Sequence, residues 1–259
     1  MMLLVSGATA TMRRIRNPRL GRLLRPGNGN MPDVLPWAVD NGAFAGFDED
    51  AFVALLDRIS GARGCLWVVA PDVVGDSVRT ADLFREWEPR IRSYGFPVAF
   101  VAQDGLIDPP WHRFDCLFIG GSTEYKLSAP VARLVAVAKS RGKLVHMGRV
   151  NSLRRMRYAH DIGVDSIDGT SFSRFGDTWI PGALARMEWL EQQMVLPSER
   201  RIDQLIVDAA NALIDQHKCG RCHGSGTVVP RDVPGPPPAP RDCPQCPACD
   251  GSGLREGER

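Results

Sequence analysis

Residues 144–170 read LVHMGRVNSLRRMRYAHDIGVDSIDGT, and this stretch decides the fold. It opens with an apolar run at 144–147, continues with a helical pattern at 151–161 and returns to a second run at 164–168. A strand, a helix and a second strand in this order are typical of a parallel sheet. The second run ends in a carboxylate, Asp168, so the chain places a charge where the pattern indicates the end of a buried strand.

The same alternation extends along the chain on both sides of this stretch. Further apolar, β-forming runs stand at 2–6, 35–39, 66–70, 97–102 and 115–119. Further helical patterns stand at 48–60, 77–93, 128–141, 180–194 and 198–217. This rhythm predicts an α/β fold with a parallel sheet, closed as a barrel or open and doubly wound. We favour a (β/α)8-type TIM barrel, and because only seven strands are visible we expect it to be irregular or incomplete.

The composition is that of an ordinary globular protein. Of its 259 residues, 44% are hydrophobic and 24% are charged. No apolar run reaches the ~18 residues of a membrane span, and no basic segment precedes the apolar start as it would in a signal peptide. We therefore expect a cytoplasmic protein. The formal net charge of +2 is too small to indicate nucleic-acid binding by itself.

Cysteines divide the chain into two parts. Two C-x-x-C-x-G-x-G units contain Cys219 with Cys222 and Cys246 with Cys249. Paired thiolates two residues apart can bind one tetrahedral zinc, and the glycines that follow relieve the turn. The units resemble the zinc repeats of DnaJ-type chaperones and predict a structural zinc ion. Disulfides are the alternative, and Cys243 could replace one ligand through the CPQC sequence.

We therefore predict two domains. Residues 1–217 form the barrel, and residues 218–259 form a small, proline-rich zinc knuckle. Cys65 and Cys116 stand singly in apolar runs, and we expect both to be buried free thiols.

Polar or glycine residues follow six successive strands at their carboxyl ends. They are Asp40, Asp72, Gln103, the pair Gly120 and Gly121, Gly148, and Asp168. The carboxyl ends of parallel strands form the face where α/β barrels and open sheets assemble their sites. Any one of these residues alone is typical of a turn or a strand exit. Together they predict a pocket with three carboxylates, one amide and open backbone, suited to a flat ligand rich in hydrogen-bond donors.

At these residues the chain resembles the tRNA-guanine transglycosylases. The matching pieces are DNGAF, PD, FVAQDG, FIGGSTE and the run from LVHMG to SIDGT, which together span roughly residues 35–175. The GGSTEYKL segment is most similar to the phage branch of that superfamily, the deazapurine transglycosylases (DpdA-type) that modify DNA. The resemblance implies a TIM barrel that replaces guanine in a polynucleotide with a 7-deazaguanine base.

The resemblance assigns two catalytic carboxylates. Asp168 matches the nucleophile that attacks C1′ of the target nucleoside, and a packed strand end would hold it rigidly. Asp40 matches the general acid and base that protonates the leaving guanine and deprotonates the incoming base. Asp165 has no such match, and we expect it to be structural.

The resemblance also assigns the residues that bind the base. Asp72 would accept hydrogen bonds from its N–H groups, and Met147 or Gly148 would lie against the flat ring. The remaining base-binding residues are Gln103, Gly120 and Gly121. No redox cofactor or nucleoside triphosphate is implied.

Arginines are the candidates for contacts with polynucleotide phosphates. An early cluster runs from Arg13 to Arg25, and a second follows the strand at 144–147. We select Arg13, Arg14, Arg16, Arg149, Arg154 and Arg155. A solvated loop or helix face is an equally supported interpretation of both clusters.

Three functional hypotheses follow from these features. The first is a DNA transglycosylase in a phage-infected host cytoplasm, with DNA, a free 7-deazaguanine base and a further protein as partners. The second is a small enzyme that acts on tRNA. The third is a non-catalytic adaptor that binds nucleic acid through the barrel and the knuckle. The zinc pattern of the tRNA enzymes, C-x-C-x-x-C with a later histidine, is absent from this sequence. The DNGAF motif also lacks that family's usual glutamine.

Overall fold

The computed structural model describes residues 1–192, which form a closed barrel of eight parallel strands in sequential order. The strands are β1 (Met2–Val5), β2 (Leu20–Leu24), β3 (Trp37–Val39), β4 (Cys65–Val69), β5 (Val98–Ala102), β6 (Cys116–Ile119), β7 (Leu144–Met147) and β8 (Ser166–Asp168). The first strand pairs with the last, with Leu4 opposite Asp168, so the sheet has no free edge. The predicted TIM barrel is therefore confirmed, and the open doubly wound sheet is wrong.

Helices follow six of the eight strands, all but β2 and β5, and surround the barrel. They are α1 (Thr9–Ile15), α2 (Glu49–Ile59), α3 (Ser77–Ser93), α4 (Thr123–Lys126), α5 (Ala129–Ser140), α6 (Leu153–Asp161), α7 (Thr170–Arg174) and α8 (Gly176–Gln192). Four of the longer helices begin at a side chain that accepts a hydrogen bond from the first turn: Asp48, Asp76, Ser128 and Ser152. None of the helices in the described part of the chain is both long and apolar enough to span a bilayer.

Strand residues alternate between two separate cores. Those that point into the barrel form a small cluster that includes Leu4, Leu23, Trp67 and Val101. Their neighbours along each strand point outward and pack under the helices, as Phe100 does against Phe84 of α3 with ring centroids 5.0 Å apart. This period of two follows from the pleat of a strand.

The eighth strand lies within the early arginine cluster, where the apolar pattern predicted no strand. β2 has the sequence LGRLL, and all five of its residues are buried. Arg22 interrupts the apolar run, which is why the sequence concealed the strand. Its guanidinium is buried and donates to Asp33 at 2.6 Å and to Thr9 at 3.3 Å, so the charge is neutralised beneath α1. The barrel is therefore complete, and its main irregularity is a register shift between β3 and β4.

The Arg22–Asp33 pair yields a stability prediction. Asp33→Ala leaves the buried Arg22 guanidinium without its carboxylate and should lower the free energy of unfolding by about 2 kcal/mol. A fully buried pair would cost ~3–5 kcal/mol, but Asp33 is 31% exposed. Urea unfolding followed by circular dichroism measures the change.

The matched control is Asp82→Ala, which breaks an exposed pair with Arg85 and should change stability by no more than about 0.5 kcal/mol. Equal losses in the two variants would contradict a special role for the buried pair.

Candidate functional site

A cavity opens at the carboxyl ends of the strands. Its polar and glycine lining is Asp40, Asn41, Asp72, Gln103, Gly120, Gly121, Lys126, Gly148, Arg149 and Asp168. Its apolar lining is Phe44, Val69, Val74, Val101 and Phe118. Below it the lumen is filled, because the His146 ring packs 4.9 Å from Trp67 and 4.6 Å from Phe118 between centroids. The open space of the barrel therefore lies at its mouth.

Asp168 occupies the last inward position of β8, and two donors hold its carboxylate. His146 Nε2 lies 2.9 Å from its Oδ2, and the Arg149 backbone N–H donates to Oδ1 at 3.1 Å. The buried His146 Nδ1 lies 2.9 Å from the Ser166 hydroxyl. An ionised carboxylate can only accept, so His146 donates through Nε2, and in the neutral ring Ser166 donates to Nδ1. This chain fixes the direction in which Asp168 faces the cavity.

Asp40 stands at the end of β3 with much weaker support. Its side chain accepts one hydrogen bond, from the Gly42 backbone N–H at 3.0 Å. The pKa of Asp40 is raised to about 6, mainly by burial and also by the charges of Asp168 and Asp72, against the opposing effects of Gly42 and Arg25. A carboxyl group with a pKa near neutrality can both donate and accept a proton.

Asp72, after β4, is fixed by two side-chain amides. Asn41 donates to one oxygen at 2.8 Å, and Gln103 donates to the other at 2.6 Å. Gln103 in turn accepts from the Gly75 backbone N–H at 2.9 Å, which fixes which end of the amide faces Asp72. Burial raises the pKa of Asp72, and the two amides oppose that shift. A carboxylate has about four lone-pair positions, so two remain for a ligand.

Glycines keep the cavity open at two strand ends. A Cβ on Gly148 would lie 2.8 Å from the Phe118 ring, and one on Gly120 would lie 2.7 Å from Val101. Gly121 also has a positive φ of 79°, a conformation that favours glycine. These positions leave the space above Phe118 free for a flat ligand.

Lys126 supplies a cation at the cavity wall. The residue is 7% exposed, and its ammonium donates to the Gly148 carbonyl at 2.9 Å. Burial lowers the pKa of Lys126 to about 8; Asp168 opposes the shift, whereas Arg149 and Arg155 add to it.

Most of the predicted site residues lie together. The cavity contains Asp40, Asp72, Gln103, Gly120, Gly121, Gly148 and Asp168. The prediction that Met147 lies against the base is wrong. Met147 precedes the inward-facing Gly148 by one residue and is therefore buried in the outer core, between the barrel and the helices. Asp165 is structural as expected, since it accepts from the Val145 backbone N–H at 2.8 Å and pairs with Lys139.

The early arginines do not lie at this cavity. Arg13 and Arg16 line a separate groove with Asn17 and Leu35, at the amino ends of β2 and β3. Their placement follows from the direction of α1, which returns from the mouth to the start of β2. Arg14 pairs with Asp177 at 2.7 Å. These three residues therefore lie away from the cavity, and their role as phosphate contacts stays a prediction.

The later arginines divide between the cavity and the helix surface. Arg149 lines the cavity, with its guanidinium carbon 3.8 Å from the centre of the Phe44 ring. Arg155 donates to Thr123 and to the Arg149 carbonyl. Arg154 is exposed on α6.

Metal ligation was predicted only for the knuckle. Cys219, Cys222, Cys246 and Cys249 lie outside the described residues. Within residues 1–192, no three His, Cys, Asp or Glu side chains are grouped so that they could hold a metal ion. Cys65 and Cys116 are free thiols; Cys116 is buried, but Cys65 is only partly so.

Sequence reasoning missed three residues of the site. His146 could have been found by counting, because it lies two positions before Gly148 and therefore faces inward. Asn41 stands beside Asp40 in a motif that is also typical of a simple turn. Lys126 lies in a short polar segment, and nothing in its local pattern indicates that it is buried.

Comparison with known proteins leaves the family open. No protein-family model and no curated protein matches this chain. One similar solved structure is the Bacillus subtilis YkuI protein, with an EAL domain, in complex with c-di-GMP and calcium. Its TM-score is 0.37 and its identity is 13%, over 80% of this chain and 51% of that chain.

A second is the Klebsiella pneumoniae BlrP1 complex with manganese and cyclic diGMP. Its TM-score is 0.35 and its identity is 21%, over 54% of this chain and 39% of that chain. The alignments thus span about half, or less, of the length of each of these proteins. A likeness this distant transfers no function to this chain.

The pKa of Asp40 yields a prediction for stability against pH. Between about pH 4 and 6 the folded protein holds a proton on Asp40 that the unfolded chain releases, so this residue makes folding less favourable as pH rises. Asp40→Asn should remove the effect. The variant should gain up to about 3 kcal/mol relative to the wild type between pH 4 and 7. Urea unfolding at a series of pH values measures it.

The control for this experiment is Asp50→Asn, an exposed position on α2. Its difference from the wild type should stay constant across the same pH range. A constant difference for Asp40→Asn as well would contradict the raised pKa.

Proposed function

We propose that this protein is an enzyme, a base-exchange transglycosylase that replaces guanine in DNA with a 7-deazaguanine base. The single observation that carries the proposal is the convergence of three carboxylates from β3, β4 and β8 on one cavity, each in a different hydrogen-bonding environment. Carboxyl groups in unlike environments are suited to unlike roles in acid, base and nucleophilic chemistry.

Asp168 is the proposed nucleophile. Its Oδ2 is oriented by His146 and its Oδ1 by a backbone N–H, so it points at the cavity with little rotational freedom. One oxygen attacks C1′ of the target nucleoside as the C1′–N9 bond breaks. The product is an ester between Asp168 and the sugar.

Asp40 is the proposed general acid and base. In its protonated form it gives its proton to the departing guanine, and as a carboxylate it then takes the N9 proton of the incoming 7-deazaguanine. N9 of that base attacks C1′, the ester bond breaks, and the Asp168 carboxylate is restored. The proton returns to Asp40 in each cycle, and a pKa of about 6 suits both transfers near neutral pH.

Asp72 is the proposed recognition group for the base. Guanine and its 7-deaza analogues present two adjacent N–H donors on one edge, and Asp72 has two lone-pair positions left after Asn41 and Gln103 are counted. Gly120 and Gly148 leave room for the ring. The target nucleotide must leave the base stack to reach this cavity, which costs a few kcal/mol and least in a single strand.

The choice of DNA follows from the GGSTEYKL segment, which is most similar to the DNA-modifying branch. The same cavity chemistry serves tRNA, so the polymer is tested directly. Purified full-length protein is given isotopically labelled 7-cyano-7-deazaguanine with single-stranded DNA or tRNA in parallel. Nucleoside mass spectrometry measures the label in each polymer.

Label is expected in DNA. Label in tRNA alone would keep the mechanism and overturn the polymer. Label in neither would overturn the proposed function and favour the nucleic-acid-binding adaptor.

The nucleophile assignment yields a prediction. Asp168→Asn should lower exchange by about 10³-fold or more, because the amide cannot form the ester. A covalent protein–DNA adduct on a denaturing gel should form with the wild type and vanish with the variant. The control is Asp165→Asn, on the same strand segment but paired with Lys139 away from the cavity, which should retain activity. Full activity in Asp168→Asn would contradict the mechanism.

A further inference from the structure

Lys126 is a buried cation whose hydrogen-bonding capacity is mostly unused. An ammonium group has three donors, and the structure gives Lys126 one acceptor, the Gly148 carbonyl. The residue is 93% removed from solvent, since it is 7% exposed. Burying a charge is costly unless it is paired. Among residues 1–192, no carboxylate lies within ion-pair distance of this ammonium.

Two further cations lie beside it. One cleft is lined by Lys126, Arg149 and Arg155 together with the hydroxyl-bearing Ser122 and Thr123. Neither arginine forms a salt bridge with a carboxylate of the described part of the chain. Burial lowers the pKa of Lys126, and repulsion from both arginines adds to this shift, whereas Asp168 and Asp104 oppose it. The fold therefore collects three cations in one cleft where none of them forms a salt bridge with a carboxylate of residues 1–192, although Asp168 and Asp104 are near enough to raise the pKa of Lys126.

One carboxylate also lines the cleft, but it is already engaged. Asp104 accepts from the Ser122 backbone N–H at 2.8 Å and from the Ser122 hydroxyl at 2.6 Å. Counting Asp104 against the three cations leaves an excess of two positive charges. The cleft is therefore suited to an anion with several acceptor oxygens.

The cleft is continuous with the proposed base cavity. The two share Val74, Gly121, Lys126 and Arg149. Both cations of this shared wall also form a hydrogen bond to a residue of the base cavity. Lys126 donates to the Gly148 carbonyl, and the Arg149 backbone N–H donates to Asp168. A group attached to a sugar at Asp168 would leave the cavity toward this cleft.

We propose that Lys126, Arg149 and Arg155 form a phosphate site that binds the phosphodiester next to the nucleotide whose base occupies the cavity. This rests on the proposed function for the identity of the polymer, but not for the binding of a phosphodiester. Arginine provides a planar fork of donors that matches phosphate oxygens, and the buried lysine acts as a point charge.

The test is binding of a short, fluorescently labelled single-stranded oligonucleotide with one guanine, measured in the Asp168→Asn background so that no chemistry follows. Lys126→Met and Arg155→Gln should each weaken binding by about tenfold at low salt. Each should also reduce the slope of log affinity against log salt by about 0.7, the value for one lost contact with a single strand. The control is Arg157→Gln, on the same helix as Arg155 but paired with Asp161. It should leave both quantities unchanged.

A second oligonucleotide carries neutral methylphosphonate linkages on both sides of the guanine. It should bind the parent protein about as weakly as the normal oligonucleotide binds Lys126→Met, with no further loss when the two changes are combined. Additive losses would overturn the site, because Lys126 would then contact something other than that phosphate. Unchanged affinity of Lys126→Met for the normal oligonucleotide would also overturn the site, even if inorganic phosphate displaced the oligonucleotide from the parent protein.

Lys126→Met removes a buried side chain, so folding is checked by circular dichroism, and Arg155→Gln tests the same site from a more exposed position. Base exchange is measured separately. If exchange fails but the slopes change as expected, the phosphate site stands and the proposed chemistry fails. If exchange occurs and the slopes do not change, the chemistry stands and the phosphate site fails.

Discussion

The structure depends on one constraint: in a closed barrel every second residue of each strand must share a single narrow lumen. Trp67, Phe118 and His146 fill that lumen at mid-height, so its floor is solid. Two of the next inward positions above them carry no side chain. Gly120 follows Phe118 by two residues, and Gly148 follows His146 by two, so the alternation that fills the core also ends in an open mouth. The cavity is a direct consequence of the strand pleat and of where the aromatic rings stop.

The same constraint explains what could be predicted from the sequence. Seven strands and the polar residues at their carboxyl ends follow from local apolar patterning. β2 did not, because a strand next to a helix can bury Arg22 when a distant carboxylate, Asp33, neutralises it. Met147 was assigned to the base by similarity, although its position one residue before Gly148 directs it outward. The burial of Lys126 depends on packing between segments that are distant in sequence, and local pattern carries no signal for it.

The three carboxylates differ mainly in how many donors surround them. Asp72 accepts two amide N–H groups, whereas Asp168 accepts an imidazole and a backbone N–H. Asp40 accepts a single backbone N–H and is the one whose pKa rises to about 6. Like charges that face one cavity cannot all ionise cheaply, so the group with the weakest support takes up the proton. The proton-transfer role proposed for Asp40 thus follows from the better solvation of its two neighbours.

Negative and positive side chains occupy different parts of the barrel mouth. Carboxylates line the inside of the cavity, where a neutral base with N–H donors would bind, and the cations Lys126, Arg149 and Arg155 lie on one side of it. In a base-exchange reaction the cavity must empty and refill while the sugar stays in place. A free base needs the cavity alone, but a polynucleotide would engage both regions. Binding of the backbone outside the cavity would keep the sugar ester oriented toward the cavity during the interval when no base is bound, which is the step at which water competes for the ester.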